Sequence, residues 1–212
     1  MKKILLILCL ISNIAYGKSF PIPFVKDTHY KVLEERKLTK NEILEIYSVY
    51  CKACYAYEKT AFKTIKKSLS KDVSFKEIHI IGMGKFLSSP AFLLKNSKDY
   101  EKTKMVLFET LHDKNIDSIS DFLDIVLEKE GLSKQDYEAL SKNAKFEQEI
   151  NEDEKKGKEI AKIYGIPAIL INNRYLINLK KINTLGELSL LINYLLSLDE
   201  GVANQDQSND GA

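Results

Sequence analysis

The sequence predicts an α/β fold that is interrupted by a long run of helices. Short apolar runs rich in β-forming residues lie at 43–49, 73–80 and 168–177. Helical periodicity follows the first and the last of these runs, whereas residues 85–164 carry helical periodicity alone. The strands on either side of the long helical stretch are therefore expected to form one sheet.

Length and composition are consistent with this organisation. The 212 residues suffice for one or two domains with a sizeable core. We predict a main domain formed by residues 18–84 and 163–200 and a helical insertion at 85–162. The small, polar residues from Gly201 to Ala212 predict a disordered tail.

The first 17 residues have the pattern of a secretory signal peptide. Lys2 and Lys3 precede an apolar run at 4–14, and Ala15-Tyr16-Gly17 supplies small residues beside a cleavage site. The run is about half of the roughly 20 apolar residues that a membrane span requires. We therefore predict export and cleavage after Gly17.

Charge excludes one class of partner. Without Lys2 and Lys3, 30 basic residues stand against 30 acidic ones, so nothing in the balance supports binding to nucleic acid. Lysines and glutamates are interspersed through residues 98–162, and we interpret them as solvated helix faces.

The cysteines predict redox chemistry. The mature chain would keep only Cys51 and Cys54, on an export route where thiols tend to be oxidised. A Cys51–Cys54 disulfide closes a very short loop, which by the chain-entropy model adds little stability. A catalytic pair explains the spacing better than a structural staple.

The elements around the pair assign a role to each cysteine. The strand at 43–49 runs through Tyr50 into Cys51, and an apolar helical stripe starts at the motif. Its members are Cys54, Tyr57, Ala61, Phe62, Ile65 and Leu69. Cys51 would lie at a helix N-terminus, where the helix dipole and nearby Lys52 favour its thiolate. Cys51 is therefore expected to be the attacking cysteine and Cys54, in the first turn, the resolving one.

Caps and turns predict the remaining elements. In the insertion, helices are expected to begin at Ser97, Ser120 and Ser133, the last with a capping box to Asp136.

Strands at 168–171 and 175–177 flank Asn172-Asn173-Arg174, which predicts a hairpin whose asparagines tolerate left-handed backbone. A final helix begins at Thr184, with a second capping box to Glu187.

Two separated segments resemble the DsbA family of thioredoxin-fold proteins. They run from Leu44 through Cys51-Lys52-Ala53-Cys54 to Glu58, and from Gly165 to Ala168. The resemblance implies a thioredoxin-like fold with an inserted helical domain and a periplasmic thiol:disulfide oxidoreductase that introduces disulfides into reduced client proteins. It implies no cofactor and reoxidation by a DsbB-like membrane protein.

The resemblance also implies roles for single residues. Pro167 matches the family's cis-proline beside the redox pair. The resemblance implies that backbone groups of Ile166 and Pro167 pair with a client protein. The residues alone leave open that Pro167 starts a strand. Glu45 matches an acid beneath the active site, where burial would raise its pKa and a proton relay to Cys54 is implied; a solvated position is the alternative. Glu58 matches a further family acid, and its burial is left open.

One departure from the family leaves the direction of electron flow open. The dipeptide between the cysteines is Lys52-Ala53, where the best-known members carry proline and histidine. Loss of the imidazole should raise the pKa of Cys51, whereas Lys52 acts in the opposite direction. A reductase or isomerase of the same fold is therefore the main alternative.

Two further classes of protein are alternatives. A non-catalytic, chaperone-like protein would use only a surface near Pro167. A metal carrier would use Cys51 and Cys54 as ligands, but only His29, His79 and His112 remain as typical partners, and none has ligand spacing. We predict no metal site.

Overall fold

A computed structural model describes residues 24–81 and 89–198, apart from residues 115 and 117. The predicted signal peptide, its cleavage site after Gly17 and the predicted tail at 201–212 lie outside the described residues. None of the helices in this described part is long and apolar enough to cross a membrane.

A mixed sheet lies at the centre of the fold. Its strands are β1 (Tyr30–Val32), β2 (Glu42–Tyr47), β3 (Ser74–His79), β4 (Ala168–Ile171) and β5 (Tyr175–Ile177), in the order β1-β5-β4-β2-β3. Strands β2 and β3 are parallel, and the other neighbouring pairs are antiparallel. The three strand regions expected from sequence are confirmed with bounds shifted by at most two residues. The three-residue β1 was not predicted, because so short a run carries no periodicity.

Helices connect and cover the strands. They are α1 (Lys52–Tyr57), a π-helical stretch (Glu58–Phe62), α2 (Lys63–Ser68), α3 (Ser89–Asn96), α4 (Tyr100–His112), α5 (Ile119–Glu130), α6 (Lys134–Ser141), α7 (Ala144–Tyr164), a 3-10 turn (Leu179–Lys181) and α8 (Leu185–Ser197). The first three supply the crossover that parallel strands require, and α3 to α7 separate β3 from β4. The predicted α/β fold with a helical insertion is confirmed.

The alternation of side chains along β2 decides which of them point towards α1, the helix that carries the cysteines. Ile43 and Tyr47 belong to clusters that include side chains of α1, the π-helical stretch and α2. Leu44 and Ile46 pack on the opposite face with Ile160 of α7. Because successive strand residues point to opposite faces, Glu45 lies on the face of Ile43 and Tyr47, beneath α1.

Helix α7 packs on both the helical insertion and the central sheet. Ile150, in its first half, lies with Ala91 and Phe92 of α3, whereas Ile160, in its second half, lies on the sheet. The helix is continuous through residue 162. The division of the chain at that residue therefore stays a prediction.

Gly157 sets how closely α7 approaches the sheet. A Cβ atom at this position would lie 2.3 Å from Ile80 Cγ2 and 3.2 Å from Cγ2 of both Ile46 and Ile78. Such distances leave no room for a methyl group, so we expect Gly157→Ala to lower the free energy of unfolding by about 1–3 kcal/mol.

Gly186 of α8 is the matched control. It is exposed, and the nearest atom to a Cβ there is Thr184 Oγ1 at 3.9 Å. Gly186→Ala should be neutral or stabilising, because alanine favours a helix more than glycine does. Urea unfolding of both variants compares the two sites, and equal effects would refute the close packing of α7.

The helix starts in the insertion agree with the sequence only in part. Helix α4 is capped by Asp99, whose side chain accepts the Lys102 N–H, so the prediction of Ser97 was wrong. Ser97 Oγ instead accepts the Asp99 N–H. Helix α5 is capped by Ser118, and Ser120 lies inside the helix. The sequence could not separate these positions, because each has a second capping residue two positions away.

The capping box of α6, formed by Ser133 and Asp136, is confirmed. At α8, Thr184 accepts the Glu187 N–H as expected, but the Glu187 carboxylate accepts the N–H of Asn183 and not that of Thr184. The second capping box is therefore only half correct.

The hairpin between β4 and β5 is confirmed. Asn172 and Asn173 have φ values of 51° and 57°, and the Arg174 N–H donates to the Ile171 carbonyl at 3.0 Å. The buried Asn172 side chain also accepts the Glu42 N–H at 3.2 Å and donates to the Leu195 carbonyl at 3.3 Å. It thereby joins the hairpin to β2 and α8.

Candidate active site

Cys51 caps the helix that carries the redox pair. Its backbone is extended, with φ −88° and ψ 109°, and its Sγ accepts the Cys54 N–H at 3.1 Å. Cys51 is half-buried and Cys54 fully buried, and both are free thiols in this structure. The expected position of Cys51 at a helix N-terminus is confirmed.

The surroundings give the two thiols opposite properties. The hydrogen bond from the Cys54 side chain and those from the backbone N–H groups of Cys54 and Ala53 lower the pKa of Cys51 to about 7, although burial acts in the other direction. Burial, the hydrogen bond to Cys51, the charge of Cys51 and, least of these, the charge of Glu45 raise the pKa of Cys54 well above its ordinary value. Near neutral pH the thiolate therefore forms on Cys51 while Cys54 keeps its proton.

Lys52 and Ala53 lie exposed at the start of α1. Ala53 acts on Cys51 through its backbone N–H, which is one of the causes of the lowered pKa. An effect of the Lys52 charge on that pKa stays a prediction.

The loop before β4 closes over Cys51. The Ile166–Pro167 peptide bond is cis, as the resemblance implied. The Cys51 Sγ lies 3.7 Å from the Ile166 carbonyl oxygen, within the range of a hydrogen bond donated by a thiol. Gly165, with φ 92°, ends α7 and allows the chain to turn towards the cysteine.

A groove of about 230 Å³ lies beside this loop. Its walls come from the start of α1, the end of α7, the proline loop and the chain after β5; they include Ala53, Tyr57, Tyr164, Pro167, Leu179 and Lys180. The lining is mainly apolar and aromatic, and Lys180 adds a positive charge. The groove could therefore take an apolar side chain of a peptide held next to Cys51.

Glu45 lies fully buried beneath the pair, as expected. Burial raises the pKa of Glu45 to about 8, against the opposing charge of Lys104. Its Oε2 accepts a hydrogen bond from Lys104 Nζ at 3.2 Å, while its Oε1 has no hydrogen-bond partner among the described residues. Since the charge of Glu45 also raises the pKa of Cys54, the two groups are electrostatically linked.

Lys104 of α4 is the site residue that sequence reasoning missed. Its ammonium is fully buried and bonds to the carboxylates of Glu45, Glu58 (2.5 Å) and Glu77. Burial lowers the pKa of Lys104, but the three carboxylates outweigh it and raise that pKa well above its ordinary value. The interpretation of residues 98–162 as solvated faces is thus wrong at Lys104.

The acids around Lys104 form one cluster. Glu58 is buried, which settles the question that the sequence left open, and Glu77 is nearly so. Lys66 adds a second cation, 3.0 Å from Glu77 Oε1 and 2.7 Å from Glu101 Oε1. Three carboxylates this close could suit a metal ion, but the Lys104 ammonium contacts all of them and supplies the positive charge.

Glu45→Gln tests the raised pKa through stability. The unfolded carboxyl releases its proton near pH 4.5, whereas the folded one holds it to about pH 8. The folded state therefore binds more protons between these values, and stability falls as pH rises through this window. Glutamine does not ionise, so the variant should lose less stability between pH 5 and pH 9 than the wild type. Urea unfolding at both pH values measures this, and parallel losses would contradict the assignment.

The fold and the site define a thioredoxin-type protein with a CxxC redox pair, a cis-proline loop and a helical insertion, which is the architecture of a thiol:disulfide oxidoreductase. The model of the DSBA-like thioredoxin domain family matches residues 89–188. The chain is 28% identical over 196 residues to the thiol:disulfide interchange protein DsbL of Escherichia coli O6:H1, which covers 82% of this chain and 87% of the relative.

Further comparisons agree. The chain is 28% identical to DsbA of Buchnera aphidicola, covering 95% of this chain and 100% of the relative. The crystal structure of reduced DsbL superposes with a TM-score of 0.68 at 28% identity, covering 82% of this chain and all of that one. These comparisons support a thiol:disulfide oxidoreductase that is similar to the DsbA and DsbL thiol:disulfide interchange proteins.

Proposed function

We propose that the protein introduces disulfide bonds into reduced client proteins by exchange through Cys51 and Cys54. The observation that carries this proposal is the hydrogen-bonded Cys51 thiolate at the helix N-terminus, beside the cis-proline loop. Stabilising this thiolate stabilises the reduced enzyme, and a stable reduced form makes its disulfide an oxidant.

The reaction has two exchange steps. A client thiolate attacks Sγ of Cys51 in the oxidised pair, which breaks the Cys51–Cys54 bond and leaves the electron pair on Cys54. A second client thiolate then attacks the client sulfur of the mixed disulfide, so that the client disulfide forms and the Cys51 thiolate leaves. Two electrons pass from client to enzyme, and the enzyme ends reduced.

Glu45 is the proposed proton source for Cys54. With a pKa of about 8, its carboxyl is mostly protonated near neutral pH. The sulfur that leaves as Cys54 is buried and strongly favours its protonated form. A proton passed from Glu45 would therefore assist departure of Cys54 in the first step and return when the pair is reoxidised.

Ile166 and Pro167 are proposed to hold the client. Their loop lies against Cys51, and the apolar groove continues from it. An extended client segment would pair with backbone groups of this loop and place a side chain in the groove.

Export and reoxidation complete the proposal. Residues 1–17 would act as a signal peptide that is cut after Gly17 and directs the chain to the periplasm. There a DsbB-like membrane protein would reoxidise Cys51 and Cys54 and pass the electrons to quinone.

Cys54→Ser tests the assignment of roles. The variant keeps the attacking sulfur but cannot release a mixed disulfide internally, so it should accumulate adducts under mild oxidation with a client that has a single cysteine and therefore no second thiolate to complete the exchange. Non-reducing electrophoresis and mass spectrometry would show the adduct at Cys51. The double variant with serine at both positions is the control. Absence of adducts in the single variant would count against the mechanism.

A further inference from the structure

His112 is a histidine that the proposed reaction does not use, yet it touches the chain on both sides of the redox pair. It is the last residue of α4 in the insertion and is half-buried. Its Nε2 lies 2.8 Å from the carbonyl oxygen of Val49, two residues before Cys51. A carbonyl oxygen only accepts hydrogen bonds, so Nε2 carries a proton and donates it.

Val49 belongs to the tight turn that delivers the attacking cysteine. The Cys51 N–H donates to the Ser48 carbonyl at 3.0 Å, which closes the turn from Ser48 to Cys51. Val49 is fully buried inside this turn. The hydrogen bond from His112 therefore holds Val49 in the middle of the turn from Ser48 to Cys51. The end of this turn sets the position of Cys51 Sγ.

The other contact of His112 lies just after the resolving cysteine. Its ring stacks on Tyr55 with centroids 5.3 Å apart and planes 16° apart, and Phe108 stacks on the same tyrosine at 5.3 Å. Phe108 and His112 lie side by side against Tyr55, because their own centroids are only 6.1 Å apart. The Tyr55 hydroxyl donates to Asp113 at 2.5 Å, which ties the end of α4 to α1 a second time.

We propose that His112 is a positioning residue for the redox pair, which stabilises the Cys51 thiolate by holding the Val49 carbonyl. The proposal deepens the proposed function and rests on it. The thiolate depends on the direction of the N–H groups of Cys54 and Ala53. Loss of the bond leaves a buried carbonyl without this donor and releases the turn. The reduced form then loses stabilisation, and the disulfide becomes a weaker oxidant.

Two substitutions separate the contacts of His112. His112→Gln keeps an N–H donor for Val49 and loses the ring, whereas His112→Phe keeps a ring on Tyr55 and loses the donor. His29→Phe is the matched control, because His29 is also half-buried, accepts one backbone N–H at 3.0 Å from Val25, and contacts Phe24 at 5.8 Å.

The readouts are the pKa of Cys51, followed by thiolate absorbance, and the equilibrium constant with glutathione. We expect His112→Phe to raise the pKa of Cys51 and to change the equilibrium constant about tenfold towards the oxidised enzyme, equivalent to about 30 mV. His112→Gln and His29→Phe should stay within about twofold of the wild type. An unchanged His112→Phe would overturn the proposal, and so would an effect of His112→Gln as large as that of His112→Phe.

A measurement on the unchanged protein keeps the proposal testable if a variant fails to fold. Long-range proton–nitrogen spectra of the imidazole should show the proton on Nε2 of His112; a ring protonated on Nδ1 alone would overturn it. These readouts use glutathione and no client. If the wild type failed to oxidise client proteins, the proposed function would be refuted, and these measurements would still test the role of His112.

Discussion

Cys51→Ser is expected to reduce disulfide exchange with a reduced client to the uncatalysed rate, a loss of at least about a thousandfold. A serine hydroxyl cannot form the mixed disulfide, and Cys54 cannot replace the lost sulfur. Cys54 is buried in the first turn of α1, and its pKa is raised well above the ordinary value, so it forms little thiolate near neutral pH.

The measurement is the rate at which client thiols disappear with catalytic amounts of protein and glutathione disulfide. Lys63→Ala is the matched control, because it removes an exposed side chain of α2 and leaves both sulfurs and their neighbours in place. Far-ultraviolet circular dichroism should show that Cys51→Ser remains folded. Exchange retained by the folded serine variant would refute the role of Cys51.

Lys104→Met is expected to be the most destabilising single change in the site. It leaves Glu45, Glu58 and Glu77 buried around an apolar side chain, and losing one partner of a buried ion pair typically costs about 3–5 kcal/mol. Protons should bind the unpaired carboxylates more tightly, so the loss should shrink as pH falls.

Lys102→Met on the same helix is the control, because its side chain is exposed. Urea unfolding at pH 5 and pH 8 compares the two variants with the wild type. Lys66 still pairs with Glu58 and Glu77 after this change. Adding Glu77→Gln to Lys104→Met removes one of the carboxylates in excess of that cation and should recover part of the loss. If Lys104→Met were no less stable than Lys102→Met, the buried cluster would not have the assigned ionisation state.

Local patterns explain which parts of the site could be predicted from sequence. The position of Cys51 follows from a strand at 43–49, the single residue Tyr50 after it and an apolar helical stripe that starts at the cysteines, all within about 25 residues. The hairpin follows from Asn172 and Asn173, which adopt the left-handed backbone that their short polar side chains tolerate. The cis state of Pro167 required the family resemblance, because the residues alone equally suited the start of a strand.

The missed residue, Lys104, belongs to a stripe of side chains on one face of helix α4 in the insertion. Tyr100, Lys104, Phe108 and His112 recur every four residues along α4 and face β2 and α1. Their partners lie 27 to 63 positions away in sequence, so only tertiary packing brings them together. A lysine within an apolar stripe was the available signal. It was hidden because charged residues alternate through the same segment.

The reduction potential of the protein tests the central claim most directly. The protein would be equilibrated in glutathione buffers and Cys51 alkylated at each ratio. An oxidase with a hydrogen-bonded Cys51 thiolate should give a value between about −180 and −120 mV. A value near the roughly −270 mV of thioredoxin would contradict the proposed direction and make the protein a reductase.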